Sequence, residues 1–358
     1  MHYNVEINNR VPKGEATVRY IVKLHDMLSD SQQDILNKLS IDIVYQSKFL
    51  PLIGVITDNP DAIKNLDFVK SVRKPALGNF MGGEYFSTIC FEPPLRKSLL
   101  VSNQMLGWGD TRVAVIDSGV NPIVNVIESK DFTGTGDFDY LNHGTRVAQI
   151  IKHFAKGCSL YSAKVGNAEP DELNMLGAIE WAFEKGVNII NISAGFKRKC
   201  EGNCELCQLI SQVSRLGVAI VVAAGNEQNV EDSIYCPGRV DNAVTVSAID
   251  INMKLASYSS IGKPGSGKPN IVAPGNGYID GRRFEGTSFA APVISGVLAA
   301  ILYKSGNIYK AIEYIYRTAK DLNLPRHWQG FGCIDIEKLV GVIANEEINR
   351  KSEGQDKN

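Results

Sequence analysis

The chain has 358 residues, 44% of them apolar and 22% charged, with a net charge of −1. That length is long for one domain and comfortable for two, and the composition is that of an ordinary globular protein. The near-neutral charge gives no footing for nucleic acid or an acidic membrane as partner, and no apolar run approaches the roughly 18–20 residues of a bilayer span. The N-terminus, MHYNVEINNRVPKGE, has no apolar core behind a basic head. A secretory signal peptide is therefore not expected, and the expected location is the cytoplasm, with export by a dedicated route left open.

In chain order, ATVRYIVKL places Val18, Tyr20, Val22 and Leu24 on one side of a strand. SDSQQDILNKL follows as a helix, Ser29 and Gln32 being spaced as a capping box. IDIVYQSKF and LIGVITDN read as strands, NPDAIKNLDF as a short helix and VKSVRK as a last strand. The order β-α-β-β-α-β is the ferredoxin-like, split βαβ pattern of a small α+β unit. Residues 76–97 break this regularity with Gly-Gly and Pro-Pro and read as a linker leading into the next domain.

From about residue 98 to 345 short apolar strands alternate with helices. TRVAVID, SLYSAKV, VNIINIS and VAIVVAA are the strands; helices are expected from about 143, near 171–185 and near 205–216. Strands apolar throughout, with helices between them, predict an α/β fold with a mostly parallel sheet covered on both faces. The last residues, 346–358, are polar and read as a frayed tail.

Chemistry on such a sheet is expected just beyond the carboxyl ends of its strands. Asp117 closes TRVAVID there, and Asn226 follows VAIVVAAG. Each alone also fits a turn residue before or after glycine. His143, one of five histidines, stands at the start of the helix NHGTRVAQII. Ser288 heads an apolar helix in EGTSFAAPVISG, where Thr287 or Ser288 fits as a cap and Pro292 removes a helical N–H. The missing N–H leaves the Ser288 carbonyl without its usual helical partner. Small residues at Ala290, Ala291, Ser295, Gly296, Ala299 and Ala300 predict close neighbours for that helix.

Together the four are far more specific, in the order Asp, His, Asn, Ser. AVIDSGV, NHGTRVA, VVAAGNE and GTSFAAP resemble the catalytic motifs of the subtilisin-like serine proteases, or subtilases. SLYSAKV, AIEWAFEKGVNIINISAG, YCPGRVDNAVTVSAID, PNIVAPG and QGFGCIDIEKLV are similar to the family's framework segments in the same order. The resemblance implies a subtilisin-like catalytic domain over 98–345, an inhibitory propeptide over 1–80 and a linker with a processing region over 81–97. It implies a serine endopeptidase made as a self-inhibited zymogen, its own N-terminal unit the intramolecular inhibitor and a peptide or protein its substrate. Asp117, His143 and Ser288 would form the triad, with Asn226 as oxyanion donor. Ser193, Ala194, Gly195 and Phe196 would bind substrate as a strand and, with Ala223, Ala224, Gly225 and Glu227, wall the pocket. Glu227 either favours a basic side chain there or is a solvated surface carboxylate. The reading from another class is a locked, non-catalytic relative acting as a peptide-binding or regulatory module.

Departures from the family pattern are local. Arg146 and Gln149 stand where a second histidine and a glycine are usual, and Phe289 follows the nucleophile in place of methionine. No cofactor is expected for catalysis. The short path from HGTRVAQIIKHFAKG to SLYSAKV implies that the family's high-affinity calcium loop is missing. Val72–Pro75 carries a basic pair, but the resemblance places self-cleavage near Phe80–Phe86. Seven cysteines do not read as a secreted disulfide framework. KRKCEGNCELCQ spaces Cys200, Cys204 and Cys207 as C-x₃-C-x₂-C, with Cys236 in reach as a fourth. Free or disulfide-bonded thiols and a structural zinc both fit. The spacing is also similar to the cluster motif of radical S-adenosylmethionine enzymes, whose barrel of repeated strands this chain does not offer.

Overall fold

The computed structural model describes residues 18–80, 110–279 and 282–355, so the body of the expected 81–97 linker lies outside the described residues. The first stretch runs β1 (Arg19–Leu24), α1 (Asp30–Lys38), β2 (Asp42–Gln46), β3 (Leu52–Ile56), α2 (Pro60–Lys64) and β4 (Val69–Arg73). Its sheet has the order β2-β3-β1-β4 with every neighbouring pair antiparallel. α1 starts at a true capping box: Ser29 Oγ accepts from the Gln32 N–H, and the Gln32 side chain accepts from the Ser29 N–H at 3.0 Å. Strand alternation then divides the sheet. Val22, Leu24, Ile53 and Val55 pack under the helices with Leu36 and Ile63, while Ile21, Tyr45 and Leu52 face the larger domain.

A two-residue strand, β5 (Asn79–Phe80), precedes the large domain. That domain continues with β6 (Arg112–Asp117), β7 (Glu128–Asp131), α3 (His143–Phe154), β8 (Ser159–Lys164), α4 (Glu172–Glu184), β9 (Ile189–Ile192) and β10 (Ala194–Gly195). Next come α5 (Glu205–Arg215), β11 (Ala219–Ala223), β12 (Val244–Ile249), β13 (Ile271–Pro274) and the hairpin β14 (Asn276–Ile279) and β15 (Arg282–Glu285). Four helices end the chain: α6 (Thr287–Ser305), α7 (Ile308–Thr318), α8 (Arg326–Gln329) and α9 (Ile336–Gln355).

The seven-stranded sheet has the order β13-β12-β11-β9-β6-β8-β7, and its pairs are parallel. Alternate residues feed two cores. Val113, Val221 and Val246 meet Ile151, Ile294 and Leu298 of α3 and α6 on one face. Ala114, Ile190 and Val222 meet Leu176, Ile179, Leu206 and Ile210 of α4 and α5 on the other. Burial on both faces is why these strands read as continuous apolar runs. Contrary to the expectation that no apolar run approaches a bilayer span, helix α6 has the length and hydropathy of one, although 78% of that window is buried in the core.

Two further expectations are corrected. The polar stretch after 345 does not form a separate frayed tail, because α9 runs on to Gln355. Glu346 anchors it, receiving Lys310 at 3.2 Å and Arg317 at 3.0 Å from α7. Thr287 does not cap α6; Gly286 is the N-cap residue, and Thr287 turns its hydroxyl elsewhere.

Candidate active site

The order of the parallel sheet reverses between β6 and β9. Strands β8 and β7 lie on one side of β6, and β9, β11, β12 and β13 on the other. The crevice beyond the carboxyl ends at such a switch point is where an open α/β sheet accommodates ligands. Asp117 ends β6, Ser193 follows β9 and Asn226 lies three residues past β11. α3 and α6 bring His143 and Ser288 to the same end.

His143 Nδ1 lies 2.7 Å from Asp117 Oδ1, and both side chains are fully buried. Close backbone approach makes this contact. A Cβ on Gly144 would sit 2.2 Å from the Gly119 carbonyl oxygen and 2.8 Å from Asp117 Cβ, so only glycine lets α3 begin against the end of β6. Burial raises the Asp117 carboxyl above its ordinary value, opposed by its bonds from His143 and from the Ser118 N–H. An imidazolium beside it would be stabilised by the same geometry. The His143 ring lies between Phe80 and Phe289, with centroids 5.5 and 5.6 Å away. Its Nε2 has no hydrogen-bond partner among the described residues.

Ser288 occupies the first turn of α6, where backbone N–H groups have no helical acceptor. It is not a cap: its Oγ donates to the Ser193 carbonyl at 2.9 Å. In return Ser193 Oγ donates to the Ser288 carbonyl at 2.9 Å, filling the place that Pro292 left open. Asn191 donates to Ser193 Oγ at 2.9 Å and accepts from Ser295 Oγ at 2.8 Å, so β9 and α6 are joined by a buried polar chain.

Asn226 Oδ1 accepts from the N–H and the hydroxyl of Thr287, both at 3.0 Å. Its amide is thereby oriented, carbonyl on α6 and NH₂ on the opposite branch. The two expected pocket walls are neighbours, since Ala224 accepts from the Tyr235 N–H at 2.9 Å and Phe196 exchanges main-chain bonds with Cys236. Glu227 joins them. Its carboxylate meets Lys197 at 2.6 Å and accepts from the Tyr235 hydroxyl, and the Lys197 bond first and then Tyr235 hold its pKa below the ordinary value. It is neither a bare solvated carboxylate nor an unengaged one.

The strand β10 carries a partner of its own. Phe80 and Asn79 pair antiparallel with Ala194 and Gly195. Elsewhere, Cys200, Cys204, Cys207 and Cys236 bring four Sγ atoms within 4.8 Å of one another. α3 reaches β8 through residues 155–158.

The model of the subtilase family matches residues 109–332. This chain belongs to the subtilase family. It is 29% identical over 279 residues to subtilisin DY of Bacillus licheniformis, a match covering 70% of this chain and 98% of that protein. It is 27% identical over 330 residues to alkaline elastase YaB of Bacillus sp. (strain YaB), covering 84% of this chain and 82% of the relative. A crystal structure of the epidermin leader peptide processing serine protease from Staphylococcus aureus superposes with a TM-score of 0.69 at 21% identity. It covers 92% of this chain and 99% of that one, and shows the shared fold. The subtilase is thus a subtilisin-like serine endopeptidase acting on peptide or protein substrates, a chemistry that needs no cofactor.

Sequence reasoning missed the groups that hold this subtilase's site together. Asp139 is fully buried and accepts from the Thr145 N–H in the first turn of α3 at 2.9 Å and from the Ser118 hydroxyl at 2.8 Å. Asn191 and Ser295 were also missed, and Ser193 was expected to pair with substrate and wall the pocket, not to hold the start of α6. Nothing in their local sequence marks them, because each acts on a partner distant in the chain.

Proposed function

We propose that Ser288 is the nucleophile, His143 the general base and Asp117 its orienting partner, in a protease made as a self-inhibited zymogen. Rotation about the Ser288 Cα–Cβ bond takes Oγ from the Ser193 carbonyl to His143 Nε2. Oγ then bonds to the substrate carbonyl carbon as its proton passes to Nε2. Asp117 keeps the Nδ1–H tautomer and faces the imidazolium. The developing oxyanion takes N–H groups from the Asn226 side chain and the Ser288 backbone. His143 returns the proton to the departing amine, and water hydrolyses the acyl-enzyme by the reverse sequence.

The observation that carries this reading is β5. Residues 79–80 lie antiparallel on β10 as a bound peptide would, with Phe80 beside His143. The N-terminal unit, seated on α4, feeds that strand into the cleft, which supports its role as intramolecular inhibitor and a cut shortly after Phe80. Glu227 acts as a tie between the pocket walls, and a basic substrate side chain would have to displace Lys197.

Intact mass of wild type and Ser288→Ala, each with and without a fluorophosphonate, tests the proposal. Wild type is expected to lose its N-terminal unit and take up one probe, while the variant stays whole and unlabelled. A wild type that remains whole and unlabelled would instead favour the locked, regulatory reading, to which the Ser288–Ser193 bond and the filled cleft would then belong.

A further inference from the structure

Four cysteines from two segments converge beside the substrate strand. Cys200 lies in the loop after β10, Cys204 is the N-cap residue of α5, Cys207 lies in its first turn, and Cys236 comes from the loop after β11. Sγ separations are 3.5 Å for Cys204–Cys207 and Cys204–Cys236, 3.6 Å for Cys207–Cys236 and 3.7 Å for Cys200–Cys207. None of the four is joined in a disulfide. A disulfide would bring two sulfurs to about 2.0 Å and leave the other two apart. A tetrahedral zinc with Zn–S bonds of about 2.3 Å sets its sulfurs about 3.8 Å apart. These four spacings are close to those of the tetrahedron, and the two remaining pairs lie within 4.8 Å. A four-iron cluster interposes a cube of iron and sulfide and needs its thiolates much farther apart.

The surroundings fit thiolates rather than thiols. Cys204 makes no side-chain cap bond to its own helix, so its sulfur is turned into the cluster. The α5 N-terminus nevertheless favours negative charge there. Arg198 Nη2 lies 3.1 Å from Cys204 Sγ and 3.5 Å from Cys236 Sγ. A guanidinium, which only donates, is well placed against the net charge of −2 that four thiolates leave around zinc.

We propose that Cys200, Cys204, Cys207 and Cys236 bind one zinc ion, which fixes the far end of the substrate strand and the seat of the N-terminal unit. The first link is short. Cys236 exchanges main-chain bonds of 2.7 and 3.0 Å with Phe196, the residue after β10. The second runs through Arg198, which pairs with Glu172 at 2.6 Å; Glu172 in turn receives Arg73 of the N-terminal unit at 2.8 Å. Glu205, one residue beyond Cys204, takes the other arm of Arg73 at 2.9 Å. The ion therefore stands behind the cleft and the dock at once, without touching the reacting atoms.

The site stands independently of the zymogen reading, and its test is metal content. Full-length Ser288→Ala protein, purified without chelator, is expected to carry one zinc per chain by plasma mass spectrometry. Replacement by cobalt(II) should give the thiolate charge-transfer and tetrahedral ligand-field bands of a four-sulfur site. Cys207→Ser and Cys236→Ser should lose the metal, while Cys158→Ser and Cys333→Ser, at buried cysteines elsewhere, should keep it. Should the buried replacements fail to fold, Cys200→Ser at the half-exposed corner is expected to weaken zinc retention against a chelator and lower Tm. Metal-free protein with four reactive thiols, disulfides found by mass, or iron in place of zinc would each overturn the assignment.

Discussion

Pro292 removes the N–H that would reach the Ser288 carbonyl, and the hydroxyl of Ser193 replaces it from another strand. The two serines hold each other, since Ser288 Oγ rests on the Ser193 carbonyl. Ser193→Ala removes one of these bonds and leaves two buried groups unsatisfied, the Ser288 carbonyl and the Asn191 amide that donated to the lost hydroxyl. The expected loss is about 1–3 kcal/mol of stability, the usual cost of orphaning such a group. A denaturant melt of Ser193→Ala in the Ser288→Ala background measures it free of self-digestion; an unchanged midpoint would mean that another donor already serves that carbonyl. The residues placed at strand ends and helix starts, Asp117, His143, Asn226 and Ser288, were legible because backbone position limits what a polar residue there can do. Asp139, Asn191 and Ser295 were not, because their partners are set by the packing of α3 and α6 rather than by neighbours in sequence.

The smallest element has the largest consequence for access to the cleft. β5 is only two residues long, too short to hold itself by pairing. The chain before it is tied down: the Gly78 N–H donates to the Pro170 carbonyl at 2.8 Å and the Ala76 N–H to Glu172 at 3.1 Å. Gly78 lies flat on the substrate strand, where a Cβ would come 2.6 Å from the Gly195 carbonyl oxygen and 2.8 Å from the Phe196 ring. Gly78→Val is therefore expected to lift residues 78–80 off β10 and slow self-cleavage. Intact-mass time courses of the two full-length proteins compare the rates, and equal rates would show that β5 is not the productive arrangement. The long elements were readable from periodicity, including the capped α1 and the alternation of apolar strands with helices. β5, β10 and the β14–β15 hairpin were not, since a strand of two to four residues carries no period and exists only through its partner. Helix α9 runs into the stretch expected as a polar tail for the converse reason: ion pairs to α7 hold Glu346 where the local sequence is merely polar.

At the scale of the whole molecule, the two units meet across a charged face of α4. Glu172 and Glu180 are charged residues on α4, yet both are buried where the N-terminal sheet meets it. That contact was invisible before the fold, because it depends on which side of a four-stranded sheet faces outward. Burial alone would raise the Glu172 carboxyl, but bonds from Arg73 and Arg198 outweigh it and hold its pKa below the ordinary 4.5. A carboxyl depressed in this way contributes stability that is complete above pH 4.5 and is lost as pH falls through the lowered value. Glu180 opposes it in a different window. Burial raises that carboxyl, despite bonds from the Ser47 hydroxyl and the Lys48 N–H, so its protonation relieves a cost in the region above 4.5. The Tm of full-length Ser288→Ala should therefore change little or rise slightly as pH approaches 4.5 from above, then fall below it. Adding Glu172→Gln should lower the plateau and flatten the acid limb, because the amide has no proton to gain and a weaker hold on Arg73. An acid limb of unchanged steepness in that variant would place the sensitive group elsewhere and leave Glu172 as a packing contact only.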